Sequence, residues 1–163
     1  MFCQELIDKS KLANRDIAGI ISPGSFLNDV KQSFEAMDIR TGRTEPLANL
    51  LRQDPSDFEF GDWFFNIRTL EWGNRVFQSS VPCELLVVDE LGPLELVFSQ
   101  GWVKALDVIR SGQYRLALIV IRPELLELAQ NLFNPTAVIH LDNPEEVSSM
   151  VEEYSQKIRK ILD

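Results

Sequence analysis

The 163 residues contain a single histidine, His140, and two cysteines, Cys3 and Cys83. That scarcity excludes a His/Cys zinc cluster and a disulfide framework. It also leaves His140 as the one imidazole that a Ser-His-Asp triad could use. Basic residues are few as well: 16 Lys and Arg against 25 Asp and Glu, a net charge of −9. Binding to a nucleic-acid polymer runs on cations that neutralise phosphates, so no such partner is expected. The same shortage argues against polybasic attachment to a membrane. No apolar run approaches the ~18 residues of a membrane span. The opening Met-Phe-Cys-Gln-Glu-Leu lacks the basic-then-apolar pattern of a secretory signal. Two isolated cysteines fit a reducing, cytoplasmic location. The eight glycines are scattered, and none of them builds the phosphate-cradling G-x-x-x-x-G-K-[ST]. Gly19 and Gly24 have the spacing, but Ser25 stands where lysine is needed.

What is present is ordinary globular material, 45% hydrophobic and 25% charged, enough for one core. A single domain over residues 1–163 is expected, with a soft boundary at Arg52–Asp57. Residues 1–66 carry a first helix (Phe2–Leu12) and then hairpin signals. Strands are expected at Asp16–Ser22, Ser33–Ile39, Pro46–Leu51 and the aromatic Asp62–Asn66, with a turn or loop at Pro23–Lys31 and a tight turn at Thr41–Arg43. Residues 67–163 alternate. Apolar runs at Leu85–Val88, Leu116–Ile121 and Ala137–Leu141 predict strands buried on both faces. Helical spacing marks Arg68–Phe77, Gly101–Arg110, Glu124–Phe133 and a last helix from Asn143. Strand–helix alternation implies an α/β parallel sheet, whose ligands bind at the strands' carboxyl ends.

Chemistry is concentrated in Cys83–Leu96, CELLVVDELGPLEL. Four apolar residues are followed at once by Asp89 and Glu90, the Walker B pattern with an added glutamate. A buried strand aims its terminal carboxylate rigidly. Asp89 is thus expected to hold Mg²⁺, largely through water, and Glu90 to polarise the water that attacks a γ-phosphate. Four apolar residues and two acids also describe an ordinary strand end. Arg122 follows the Leu116–Ile121 run and is the candidate to stabilise transferred charge, as an arginine finger does. Glu95 is a candidate to order its loop through backbone N–H groups. Lys31 and Arg40 read as solvated surface cations, with facing the substrate the alternative, His140 as a packed or edge residue, and Trp63, Phe64 and Phe65 as core, with base stacking the alternative.

Together these pieces resemble the nucleoside-triphosphatase family of P-loop NTPases, that of the animal cancer-related nucleoside-triphosphatase and its thermophile relatives. The residues that carry the resemblance are Asp89-Glu90-Leu91-Gly92-Pro93-Leu94-Glu95-Leu96, against the family's D-E-[IL]-G-x-[ML]-E-L. Gly19–Ser22, Phe34–Asp38 with Thr41–Arg43, and Gly61–Asn66 add weaker matches, so that the likeness covers roughly Phe2 to Asp142. Pro93 departs from the family, which often has lysine there. The resemblance implies a RecA-like core with a β-hairpin insertion and Mg²⁺-dependent hydrolysis of ATP or GTP. It also implies that Phe2–Ile7 continues the helix that follows the family's phosphate loop. The first strand and that loop are then missing from this chain, whose activity should be poor and whose incomplete sheet should favour self-association. The missing strand is expected beside or near Leu85–Val88. The alternative is a relative without the loop, acting as a protein-interaction or weak nucleotide-binding module.

Overall fold

The computed structural model describes residues 2–11, 14–141 and 143–162. Leu12 of the expected first helix, Asp142 at the end of the resemblance and Asp163 of the charged tail lie outside them.

Helix α1 (Phe2–Lys11) leads into β1 (Ile17–Ile21), β2 (Gly24–Leu27), β3 (Val30–Asp38), β4 (Thr44–Asn49), β5 (Phe58–Phe60) and β6 (Trp63–Phe65). Then follow α2 (Ile67–Ser79), β7 (Cys83–Leu91), α3 (Pro93–Leu96), α4 (Val103–Ser111) and β8 (Tyr114–Ile121). A 3₁₀ turn at Pro123–Leu125 opens α5 (Leu126–Phe133), and α6 (Pro144–Leu162) ends the described chain. Helix starts follow local chemistry: the Asn66 side chain accepts from the Thr69 N–H, and Asn143 accepts from Glu145.

All strands join one sheet, ordered β5-β6-β4-β3-β1-β7-β8, with β2 on β3. The pairs β1–β7 and β7–β8 are parallel, and every other pair is antiparallel. The sheet passes through both sides of Arg52–Asp57, where the buried Asp57 carboxylate accepts from the Gln53 and Asp54 N–H groups. Alternation along β1 and β7 splits the core. Ala18, Ile20, Leu86 and Val88 face α2 and α4. Ile17, Ile21, Leu85 and Val87 face α1 and α6. Gly19, at φ +115°, is the residue over which β7 passes closest: a Cβ there would overlap the Val87 carbonyl oxygen.

Three expectations need correction. Pro23–Lys31, expected as a turn or loop, holds a turn but also the strand β2: Asn28 and Asp29 both take positive φ (48° and 61°) and close a two-residue hairpin between paired Leu27 and Val30. Ala137–Leu141 forms no strand. Leu116–Ile121 is an edge strand and half-buried throughout, not buried on both faces. These last two are linked. Both edges of β7 are taken, by β1 and β8, so the sheet is open at β8 and not beside Leu85–Val88. Ala137–Leu141 does not pair with that edge, so among the described residues β8 stays uncovered on one side.

Candidate functional site

The site lies where β1, β7 and β8 end. Strand β7 continues through Asp89 and Glu90 to Leu91, but its pairing with β8 shifts between Val88 and Leu91. Within that irregularity Glu90 takes φ +67°. A glutamate in left-handed backbone is strained by about 1 kcal/mol or more, and such strain gathers where a side chain must be aimed.

Asp89 is mostly buried, and its Oδ2 accepts the Ser22 backbone N–H at 3.0 Å from the end of β1. Burial pushes its carboxyl above the usual carboxylate range; the Ser22 bond opposes this, and the neighbouring Glu90 charge adds to it. The Ser22 hydroxyl beside it is buried without a hydrogen-bond partner. The first turn of α1 reaches the same place. The Cys3 thiol is pushed up to about 12 by burial first and by the Asp89 charge second. The amino end of α1 therefore lies near the Asp89 end of the sheet.

Glu90 is held between two cations. Arg122 Nη2 donates to Oε1 at 3.1 Å, and Lys31 Nζ stands 3.6 Å from Oε2. Lys31 also lies 4.4 Å from the centre of the Phe34 ring. The structure thus brings Asp89, Glu90 and Arg122 to one strand-end cluster and adds Lys31, for which the sequence favoured a solvated surface place over one facing the substrate. The signal was the Asn28-Asp29 turn: a two-residue hairpin there returns Lys31 to the sheet. Ser22 was missed too, although it directly follows an apolar strand.

Below Glu90 the chain turns through Gly92 into α3. Glu95 closes that turn, accepting the Gly92 and Trp102 N–H groups at 3.1 Å each. Its carboxyl, 6% exposed, is pushed up by burial against those two bonds. Asn74 of α2 steadies the same corner, donating to the Gly101 carbonyl and accepting from the Lys104 N–H at the start of α4.

Other candidates lie elsewhere. Arg40 is structural, bound to Asp16 and to the Ser79 and Pro82 carbonyls. His140 is exposed and outside any strand. Trp63 and Phe65 pack with Phe34 at ring-centre distances of 4.7 and 5.8 Å. They also wall a cavity of about 230 Å³ whose lining includes Glu90 and Arg122. Among the described residues there is no cluster of three or more His, Cys, Asp or Glu side chains suited to a metal ion, and no helix long and apolar enough to cross a membrane.

A family model described as NTPase matches residues 1–159. The nucleoside-triphosphatase THEP1 of Methanosarcina barkeri is 28% identical over 103 residues, 63% of this chain and 57% of that protein. The THEP1 of Methanosarcina acetivorans is 26% identical over 113 residues, 69% of this chain and 62% of that protein. The matched region thus spans less than two thirds of either relative. In three dimensions the chain resembles the solution structure of a human cancer-related nucleoside triphosphatase, with a TM-score of 0.67 at 16% identity over 98% of this chain and 90% of that one. It also resembles the crystal structure of THEP1 from Aquifex aeolicus, with a TM-score of 0.56 at 15% identity over 94% and 90%. The mixed α/β fold is that of these P-loop NTPases.

Proposed function

Because the chain belongs to the NTPase family, we propose that its strand-end cluster serves Mg²⁺-dependent hydrolysis of ATP or GTP in the cytoplasm. The observation that carries this reading is the setting of Glu90: strained at φ +67°, beside a buried carboxylate and between two cations.

The donors fit magnesium. Asp89 offers a carboxylate with one oxygen engaged by Ser22 N–H, and the orphaned Ser22 hydroxyl is a second hard oxygen beside it. A buried hydroxyl without a partner is accounted for by a water or ion at this place. One carboxylate and a hydroxyl suit an ion that keeps most of its water and completes its shell with phosphate. Asp89 and Ser22 would hold it, and it would neutralise charge on the phosphates. The rest falls to the chain's own groups. Glu90 orients the attacking water and accepts its proton. Arg122 and Lys31, paired to Glu90 at rest, meet the charge that grows on the transferred phosphoryl group. The amino end of α1 offers N–H groups to phosphate oxygens.

The 163 residues contain no G-x-x-x-x-G-K-[ST], so the main phosphate donors of such enzymes are not among them. Hydrolysis by these residues alone is therefore expected to be slow. That observation also supports a second reading, a relative that binds a partner or a nucleotide weakly without turning it over. Phosphate release from ATP and GTP separates the two. It is measured for this chain and for a form extended at its amino end by a strand and a G-x-x-x-x-G-K-[ST] loop. The extended form should release phosphate only with Mg²⁺. Glu90→Gln in it should cost about a hundredfold or more in turnover and spare nucleotide binding. Unchanged turnover in that variant would sink the role given to Glu90. Tight binding without release by the extended form would favour the second reading.

A further inference from the structure

The cavity beside Glu90 is not needed to hold a triphosphate. It lies on the α2 and α4 face of the sheet, where Phe34 and Leu47 belong to the core and Trp63, Phe65 and Leu70 pack against it. The amino end of α1, with its backbone donors, belongs to the opposite face. A triphosphate running from α1 past Asp89 reaches Glu90 with its terminal phosphate. Its base is then two phosphates and a sugar away, back on the α1 side. Ser22 and Glu90 belong both to the strand-end cluster and to the lining of the cavity, whose aromatic wall lies on the α2 and α4 face.

Its chemistry is specific. The walls are aromatic and aliphatic: Phe34, Trp63 and Phe65 meet edge to face, and Phe60 and Leu70 continue the surface. The mouth carries an acceptor, Glu90, and a donor, Arg122, 3.1 Å apart. Flat apolar walls suit a planar ring. A paired donor and acceptor suit a ring edge that itself carries both. A cavity of about 230 Å³ is of a size for one ring system.

We propose that this cavity is a binding site for a second molecule, a planar nitrogen heterocycle of the nucleobase or nucleoside kind, seated between the Phe34–Trp63–Phe65 wall and the Glu90–Arg122 mouth. That the molecule is distinct from the hydrolysed nucleotide rests on the reading of Glu90 as facing the terminal phosphate; that a ring binds does not.

The test needs neither turnover nor metal. The 163-residue chain is titrated with adenosine, guanosine and uridine in magnesium-free buffer, by calorimetry and by tryptophan fluorescence, since Trp63 and Trp102 line the cavity. At least one nucleoside should bind saturably, one per chain, and quench the emission. Trp63→Ala and Phe60→Ala should each weaken binding about tenfold, the scale of one lost base–aromatic stack. Both residues are only half-buried, and the urea midpoint of each variant reports whether it remains folded. Trp72→Phe, outside the lining, should leave binding unchanged. ATP should compete with the bound nucleoside no better than the nucleoside itself. Three outcomes overturn the proposal: no saturable binding of any of the three, binding indifferent to both wall variants, or ATP binding through the Trp63-dependent site about tenfold or more tightly than adenosine. The last would make the cavity the base pocket of the hydrolysed nucleotide. Absence of phosphate release would leave all of these outcomes readable.

Discussion

Strands β7 and β8 read alike in the sequence, each a run of aliphatic residues between a turn and a charged residue. In the sheet they differ. Leu85 to Val88 are fully buried, with β1 on one side and β8 on the other. Residues 116–121 of β8 are all half-buried, and among the described residues β8 is paired on one side only. Hydrophobic content states that a strand can be buried; the neighbours decide how far. The same contrast separates the two ends of the site. Asp89 and Glu90 directly follow the enclosed stretch of β7, and Asp89 is tied to the end of β1 through the Ser22 N–H, whereas Arg122 leaves an edge and remains 46% exposed.

The largest break in this contrast should come at its tightest point. Gly19→Ala places a Cβ against the Val87 carbonyl oxygen in backbone at φ +115°. Strain and overpacking together should cost about 3 kcal/mol or more, or prevent folding. A urea midpoint near that of the parent would refute the close approach of β1 and β7.

Next comes a matched pair. Leu86→Ala, from a side chain with no exposure, should cost about 2–5 kcal/mol. Leu118→Ala on half-buried β8 should cost clearly less. Equal losses in denaturant titrations would show that the edge is as well covered as the centre.

Asp89→Asn should have the opposite sign. The Asp89 and Glu95 carboxyls are both raised by burial, so the folded chain holds these protons more tightly than the unfolded one. Their contribution is fully favourable below ordinary carboxylate pKa values. It declines as pH rises from there through the raised folded values. Asp89→Asn removes one share of that decline. It should stabilise the chain at neutral pH by about 0.5–2 kcal/mol and flatten the slope, while removing any Mg²⁺ dependence. Urea midpoints across that pH range decide it; an unchanged or steeper slope would contradict the burial of Asp89.

The smallest effect should be association through the open edge. An unpaired apolar strand edge is a template for another chain. Sedimentation should show weak, concentration-dependent self-association, and a monomer at every concentration would mean that β8 is closed to strand pairing.

Legibility followed the same line between centre and edge. The helices from Arg68, Gly101 and Asn143 and the strand ending at Asp89-Glu90 were readable because periodicity and caps are local. Within the hairpin at 24–38 a turn or loop and the second strand were legible, but the strand Gly24–Leu27 was not, since Pro and Gly hid how closely the two left-handed residues, Asn28 and Asp29, confine the turn. The place of Lys31 against Glu90 followed from that miss. Glu95's ordering role was readable; its second partner, the Trp102 N–H, lies seven residues away across a turn.

By itself the sequence determined the element types of the central α/β part, the carboxylate pair at a strand end, and the absence among these residues of a lysine-bearing glycine loop. Each is a matter of local spacing. Only the tertiary structure decided that β7 is enclosed and β8 is an edge, that Ala137–Leu141 forms no strand, and that Glu90 stands between Lys31 and Arg122 at the mouth of an aromatic cavity. Burial and charge pairing depend on which chain segments become neighbours, and for these groups the partners are separated by 30 residues or more.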